Sequence, residues 1–269
     1  MAGRFHKMHG LGNDFVVIDA RVDVVAMTPA RAKAIADRRT GIGCDQLIML
    51  EPSVNADAKM RTWNADGSEV EICGNATRAV ALLIGKTATL ETNGGPIAIS
   101  PNAGGATVDM GQPRFAWDDI PLAYAMDTAA MPLGWEALET PMAVNVGNPH
   151  VIFFVGDAAT VDLARLGPVI ENDPLFPDRI NVNVATITGP SSLNLRVWER
   201  GAGLTRACGT GACATAVAAI RSKRAFSPVT VTLPGGDLTI AWASGATIRM
   251  TGPATHVFTG ETDWDTFGL

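Results

Sequence analysis

Apolar positions along the chain fall into two kinds of run, and each kind predicts a different element. Leu193-Asn-Leu-Arg-Val-Trp198 alternates apolar with polar residues, the period of a half-buried strand, and Met60-Arg-Thr-Trp63, which mixes the two kinds, reads as a strand with it. Phe15-Val-Val-Ile18 and His150-Val-Ile-Phe153 are short apolar runs that also read as strands. Two Ala-rich segments, residues 76–84 and 212–220, hold good helix formers and no turn residues. They are apolar nearly all round, so each predicts a helix enclosed by other structure. Gly-Gly pairs at 94–95, 104–105 and 235–236 predict hairpin turns between later strands. The stretch from Gln112 to Pro141 has no clear period and reads as a linker.

These elements occur twice. When the chain is compared with itself at a shift of 135 positions (208 − 73), Gly12-Asn13 falls on Gly147-Asn148, each just ahead of a strand-like run. Arg61 falls on Arg196, Trp63 on Trp198, and Cys73-Gly74 on Cys208-Gly209. Composition alone could align the alanines, but not two Trp–Cys-Gly frames and two Gly-Asn–strand frames at one offset. The period is too long for a solenoid repeat, which leaves two homologous domains. The predicted fold is α+β: two domains related by a pseudo-two-fold axis, each a curved, mostly antiparallel sheet around a central helix. The first is expected over residues 1–112, with the C-terminal segment 255–269 returning to it, and the second over 113–254.

Length and composition agree with this division. The 269 residues suffice for two small domains, and 47% apolar against 18% charged supplies two cores. A net charge of −6 argues against a nucleic-acid or anionic-membrane surface, each of which wants a basic field. No apolar stretch is long enough to span a membrane, and the N-terminus lacks the apolar region of a secretory signal. Four scattered cysteines are too few for a disulfide scaffold, so the expected setting is the reducing cytoplasm. The four histidines show no metal-ligand spacing, and no dinucleotide or phosphate-loop motif is present, so neither a metal nor a nucleotide cofactor is expected.

The candidate chemistry lies at Cys73 and Cys208, each at the start of an Ala-rich helix. A thiol there meets free backbone N–H groups and the positive end of the helix dipole, which commonly lowers its pKa from about 8.5. The same N–H groups make a site for a carboxylate. Two thiols brought to one small ligand from opposite sides would suit inversion of a carbon centre, which needs a base on one face and an acid on the other. Cys44 and Cys213 lack this matched context and read as core filler.

Asn64-Ala-Asp-Gly-Ser-Glu69 with Cys73-Gly-Asn75, and Glu199-Arg-Gly-Ala-Gly203 with Ala207-Cys-Gly-Thr-Gly-Ala212, resemble the two signatures of the diaminopimelate epimerase family. Met8-His-Gly-Leu-Gly-Asn-Asp-Phe15, Gly41-Ile-Gly-Cys-Asp-Gln46, Gly147-Asn-Pro-His150 and the block from Met250 to His256 resemble it too, in order along nearly the whole chain. Ala76, Leu204 and Cys44 depart from the family's usual residues. The resemblance implies interconversion of L,L- and meso-diaminopimelate in lysine and peptidoglycan synthesis, without pyridoxal phosphate or metal. It implies Cys73 and Cys208 as the acid–base pair. It further implies substrate contacts from Asn13, Gln46, Asn64, Asn148, Asn181, Glu199 and Arg200, with helix-start backbone at Gly74-Asn75 and Gly209-Thr210. His150 and Glu199 would support the thiols, and Asn183 competes with Asn181 for its place. A homodimer is expected. The alternative is a proline or hydroxyproline racemase-like enzyme on the same scaffold, but a distant Arg200 with several Asn acceptors suits a second amino-acid head better than a ring amine.

Overall fold

The computed structural model describes residues 2–70 and 73–267. The chain divides into two compact units, Met1–Val108 with Gly252–Leu269, and Asp109–Thr251. The first unit opens on the antiparallel pair β1 (Ala2–Gly10) and β2 (Asn13–Asp19), then crosses through helix α1 (Pro29–Ala36) to β3 (Gln46–Glu51), parallel to β2. β4 (Ala58–Asn64) returns antiparallel to β3, and the short β5 (Glu69–Val70) folds back on it. Helix α2 (Gly74–Ile84) leads to β6 (Ala88–Thr92), parallel to β4, and the hairpins β6–β7 (Gly95–Asn102) and β7–β8 (Gly105–Asp109) follow.

The second unit begins with a small hairpin, β9 (Gly134–Trp135) and β10 (Leu138–Glu139), and then repeats the same order of pairings. β11 (Met142–Asn145) and β12 (Pro149–Phe154) are antiparallel, and helix α3 (Leu163–Glu171) crosses to β13 (Asn181–Gly189), parallel to β12. β14 (Ser192–Glu199) and β15 (Gly203–Leu204) double back, and helix α4 (Gly209–Arg221) crosses to β16 (Val229–Leu233), parallel to β14. β17 (Gly236–Ala241) and β18 (Arg249–Pro253) complete it. The last strand, β19 (Thr255–Asp263), pairs with β1. Of the segment 255–269 expected to return to the first domain, residues 268 and 269 lie outside the described residues. Each sheet is mostly antiparallel, and its two parallel steps each span a helix, as a parallel connection requires.

The hairpin turns fall at the glycine pairs: Thr92 faces Gly95, Asn102 faces Gly105 and Leu233 faces Gly236. Helices α1 and α3 are additions to the sequence expectation, although Thr28, which caps α1 ahead of Pro29, is a start signal. Helix α1 sets Ala32, Ile35 and Ala36 on Val16, Ile18, Leu47, Met49 and Trp63. The alternate residues Phe15, Val17, Ile48 and Leu50 point to the other face and are buried as well. Burial on both faces accounts for the continuous apolar runs in β2 and β3. In the second unit Leu163, Leu166 and Ile170 of α3 pack with Val151, Phe153, Val182 and Val184.

The segment read as a linker is corrected. Ile120, Leu122, Met131 and Leu138 are buried in the same core as α3, so residues 112–141 belong to the packing of the second unit. Their apolar positions follow an irregular backbone, which has no period to display.

Candidate active site

Cys73 and Cys208 occupy the same local structure. Each is the residue just before a helix, with φ −130° and ψ 110° at Cys73 and φ −125° and ψ 109° at Cys208. Helix α2 is buried from Gly74 to Ala81, and α4 is buried from Gly209 to Ala219 apart from Thr210. Ala-rich sequence permits this, because small side chains let a helix sit close under a sheet. The backbone of Gly74-Asn75 and of Gly209-Thr210 therefore lies at the helix starts, where N–H groups have no intrahelical acceptor.

In the first unit, Asn13 stands beside Cys73. Its Oδ1 lies 3.9 Å from the sulfur and accepts from Asn75 Nδ2 at 3.3 Å. Asn75 Oδ1 in turn accepts from Arg78 at 2.9 Å. Arg78 is fully buried within α2, a lone charge in an apolar helix, and that oddity in the sequence could have flagged it. Asn13 Nδ2 donates to Asp45 at 3.0 Å, and Asp45 is held by Arg38 at 2.8 Å. Asp14 completes the cluster with Lys7 and Arg38, and their hydrogen bonds and charges hold its carboxyl below the usual range despite the opposing pull of burial.

Gln46 and Asn64 face one another across β3 and β4, with Gln46 Nε2 donating to Asn64 Oδ1 at 3.0 Å. Asn64 also donates to Ser68 at 3.2 Å, within the turn closed by Gly67. Gly67 has φ +89°, and a Cβ there would meet the Pro29 carbonyl oxygen at 2.3 Å, so only glycine serves. The Oε1 atom of Gln46 is buried and accepts no hydrogen bond among the described residues.

The second unit gathers more of the expected residues. His150 is fully buried; its Nε2 lies 3.1 Å from Asn148 Oδ1, and its Nδ1 3.1 Å from Asn183 Oδ1. Asn183 Nδ2 donates to the Gly211 carbonyl at 3.0 Å and to Thr215 at 2.9 Å, tying β13 to α4. The alternation of a strand placed Asn181 and Asn183 on one side, and the structure separates their tasks. Asn181 donates to the Pro149 carbonyl at 2.8 Å and accepts from the Arg200 amide at 3.0 Å, so both ends of its side chain hold main chain. The guanidinium of Arg200 is exposed and gives one N–H to the Asp178 carbonyl at 2.8 Å. The turn that carries it is anchored by Glu171, which accepts from Trp198 at 2.7 Å, the Gly201 amide at 2.9 Å and Arg179 at 3.2 Å.

Cys208 is buried, and its sulfur receives the Gly211 N–H at 3.3 Å and lies 3.5 Å from the Thr210 hydroxyl. A helix start on its own predicts an acidified thiol, and at Cys208 that expectation is corrected. Burial pushes the thiol well above its ordinary range and the Glu199 carboxylate adds to the rise; the Thr210 and Gly211 contacts oppose it and are outweighed. Glu199 is itself raised by burial, against hydrogen bonds from Thr205 and Cys208. The thiol proton is thus directed at a carboxyl whose own proton affinity is elevated. By contrast, Cys44 lies in the first core, where burial pushes its thiol up to about 12.

Among the described residues no group of three or more His, Cys, Asp or Glu side chains could hold a metal ion, and no helix is long and apolar enough to cross a membrane.

The sequence profile described as Diaminopimelate epimerase matches residues 5–116 and 142–257. A protein of Sphingopyxis alaskensis named diaminopimelate epimerase is 68% identical over 268 residues, covering 100% of both chains. One of Zymomonas mobilis with the same name is 56% identical, covering 99% of this chain and 100% of its own. Among solved structures, a phenazine biosynthesis protein of the PhzF family from Enterococcus faecalis aligns with a TM-score of 0.71 at 15% identity, over 98% of this chain and 100% of that one. A hydroxyproline epimerase from Agrobacterium vitis aligns with a TM-score of 0.65 at 14% identity, over 97% and 92%. At such identities these two structures speak for the fold alone.

Proposed function

The chain belongs to the diaminopimelate epimerase family, and on that footing we propose that it interconverts L,L- and meso-diaminopimelate by proton transfer at one α-carbon. The observation that carries the proposal is the matched pair of helix-start cysteines, Cys73 and Cys208, held in the same backbone conformation in the two units. Stereoinversion requires a group that removes the proton from one face and another that returns a proton to the opposite face. A thiolate and a thiol exchange these roles when the reaction reverses, so one pair serves both directions. Each such transfer contributes on the order of 10²–10⁴-fold.

The neighbours give each thiol its part. Cys208 begins as a thiol whose proton points at Glu199, so Glu199 can take that proton when a thiolate is needed. His150 is a neutral support, held by Asn148 and Asn183. N–H groups at Gly74-Asn75 and Gly209-Thr210 suit the α-carboxylate, where negative charge grows as the carbon flattens. For the distal head of the substrate, Arg200 supplies a fork for a carboxylate and the amide oxygens of Asn64, Asn148 and Gln46 supply acceptors for an ammonium. The buried Oε1 of Gln46, which accepts no hydrogen bond among the described residues, supports this assignment, since an ammonium donor would satisfy it. Asn13 and Asn181 hold their neighbours in place for the same contacts.

The chemistry asks for no cofactor beyond these side chains. A cytoplasmic setting, in the supply of lysine and peptidoglycan precursors, and a homodimer complete the proposal. Exposed Val257 and Phe258 on β19 support a second copy, and sedimentation measures it.

The deciding experiment follows α-proton exchange in D₂O with L,L-diaminopimelate and, separately, with proline. Exchange and stereoinversion are expected with diaminopimelate only, and Cys73→Ala and Cys208→Ala are each expected to abolish inversion. Exchange with proline instead would favour the ring-amine alternative. An inverting single-cysteine variant would defeat the two-thiol mechanism.

A further inference from the structure

The amide of Asn13 has one end on Cys73 and the other on Asp45. Its Oδ1 faces the sulfur at 3.9 Å and its Nδ2 donates to Asp45 Oδ2 at 3.0 Å. An amide can turn over and exchange oxygen for nitrogen, so the partners decide which end the thiol meets. The partners at both ends of this chain of contacts are of fixed type. A carboxylate offers only acceptors, so Asp45 draws the Asn13 NH₂ to itself. A guanidinium offers only donors, so Arg78, at 2.9 Å, fixes the oxygen of Asn75 and turns the Asn75 NH₂ toward Asn13 Oδ1 at 3.3 Å. Arg78, Asn75, Asn13 and Asp45 therefore form one polarised row in which every amide has a single satisfactory orientation.

Asp45 is itself held in place. Its Oδ1 takes Arg38 at 2.8 Å, and its Oδ2 takes the Asp14 amide at 3.1 Å beside Asn13. Asp14, which locks Arg38 from the other side, carries Lys7 as well. The half-exposed Asp45 carboxylate is thus held by one cation, Arg38, and a main-chain N–H.

We propose that Asp45 is a positioning residue for Cys73: through Asn13 it presents an acceptor oxygen to the thiol and keeps the donor NH₂ away. Facing an acceptor, Cys73 is held as S–H, the acid of the pair; facing a donor, it would be stabilised as thiolate. The link to turnover rests on the epimerase assignment, whereas the effect on the thiol can be read without substrate.

The test measures the rate of alkylation of Cys73 by iodoacetamide against pH in a Cys208→Ser background. Asp45→Ala removes the acceptor that draws the Asn13 NH₂ away from the thiol and leaves only the 3.3 Å contact from Asn75 to hold the amide, and the alkylation profile is expected to move to lower pH, raising the neutral-pH rate about tenfold. Asp45→Asn keeps one acceptor oxygen, which the two donors Asn13 Nδ2 and the Asp14 amide draw against the one from Arg38, and is expected to retain the parent profile. With both cysteines restored, Asp45→Ala is expected to lower kcat about tenfold or more, with a smaller change in KM. If Asp45→Ala fails to fold, Asp45→Ser repeats the measurement. An unmoved profile in the folded variant overturns the proposal, and so does an equal shift in Asp45→Asn, which would assign the effect to charge and not to amide orientation. Loss of diaminopimelate turnover in the parent would instead strike the functional assignment and leave the alkylation result standing.

Discussion

The amide N–H of Gly211 reaches the sulfur of Cys208 at 3.3 Å, one turn into α4. A Cβ at 211 would stand 3.0 Å from Val197 Cγ2 and 3.2 Å from the same sulfur, tight enough that both would have to give by a few tenths of an ångström. Gly211→Ala is expected to cost about 1–3 kcal/mol through overpacking and to cut turnover by displacing the thiol. Urea unfolding and the exchange assay measure the two losses; a variant equal to the parent in both would refute the close contact.

Glu199 helps to hold Cys208 protonated, so its charge sets where that thiol titrates. The folded-state pKa is raised, so the contribution to stability is present below the ordinary thiol pKa of about 8.5 and is lost as pH rises through the folded value. In a Cys73→Ser background, alkylation of Cys208 is expected to begin only well above that pH. Glu199→Gln removes the negative neighbour and should bring the onset down, while also slowing turnover because the proton loses its acceptor.

Burial takes His150 down to about 4, against the hydrogen bond its Nδ1 gives to Asn183 Oδ1, with Arg200 adding to the fall. Its folded value lies below its unfolded value near 6.5, so the unfolded chain takes up a proton first as the solution is acidified. The contribution to stability is full above about 6.5 and is lost as pH falls toward 4, amounting to roughly 3 kcal/mol over that window. His150→Gln is expected to be less stable at neutral pH yet flatter between those limits. Parallel slopes for parent and variant in denaturant titrations would contradict a neutral, buried imidazole.

Glu171 is a nearly buried carboxylate that gathers the Trp198 indole, the Gly201 amide and Arg179. Removing a buried acceptor and leaving its N–H donors unmet typically costs about 1–3 kcal/mol. Glu171→Leu is expected to fall in that range and to raise KM through the loosened turn that carries Arg200. Glu171→Gln, which keeps one acceptor, should lose less. Thermal unfolding and steady-state kinetics with diaminopimelate distinguish these outcomes.

Much of the frame can be read along the chain, because its signals are local. A helix start at each Cys-Gly, hairpins at Gly-Gly pairs and strands from alternating residues depend on neighbours a few positions away, and the 135-residue offset made each half a check on the other. Strands β3 and β4, at residues 46–51 and 58–64, recur as β13 and β14 at residues 181–189 and 192–199, within the reach of that offset. Helices α1 and α3 leave little trace in the sequence, because eight and nine residues give too few turns for a clear period, though Thr28-Pro29 marks one start.

Other properties came from contacts between residues far apart in sequence, and no local pattern carries them. Asp45 lies 32 positions from Asn13, and Glu171 lies 27 from Trp198. The repeat could not single out Asp45, whose partner at the offset is Ile180. The direction of the Cys208 shift depended on the same distinction. Helix position, legible from the residues, argues for an acidic thiol, whereas burial and the nearby Glu199 carboxylate argue against it and prevail. Desolvation depends on everything packed around a group, so the chain's own order fixes where the sulfur sits and the folded surroundings decide whether it keeps its proton.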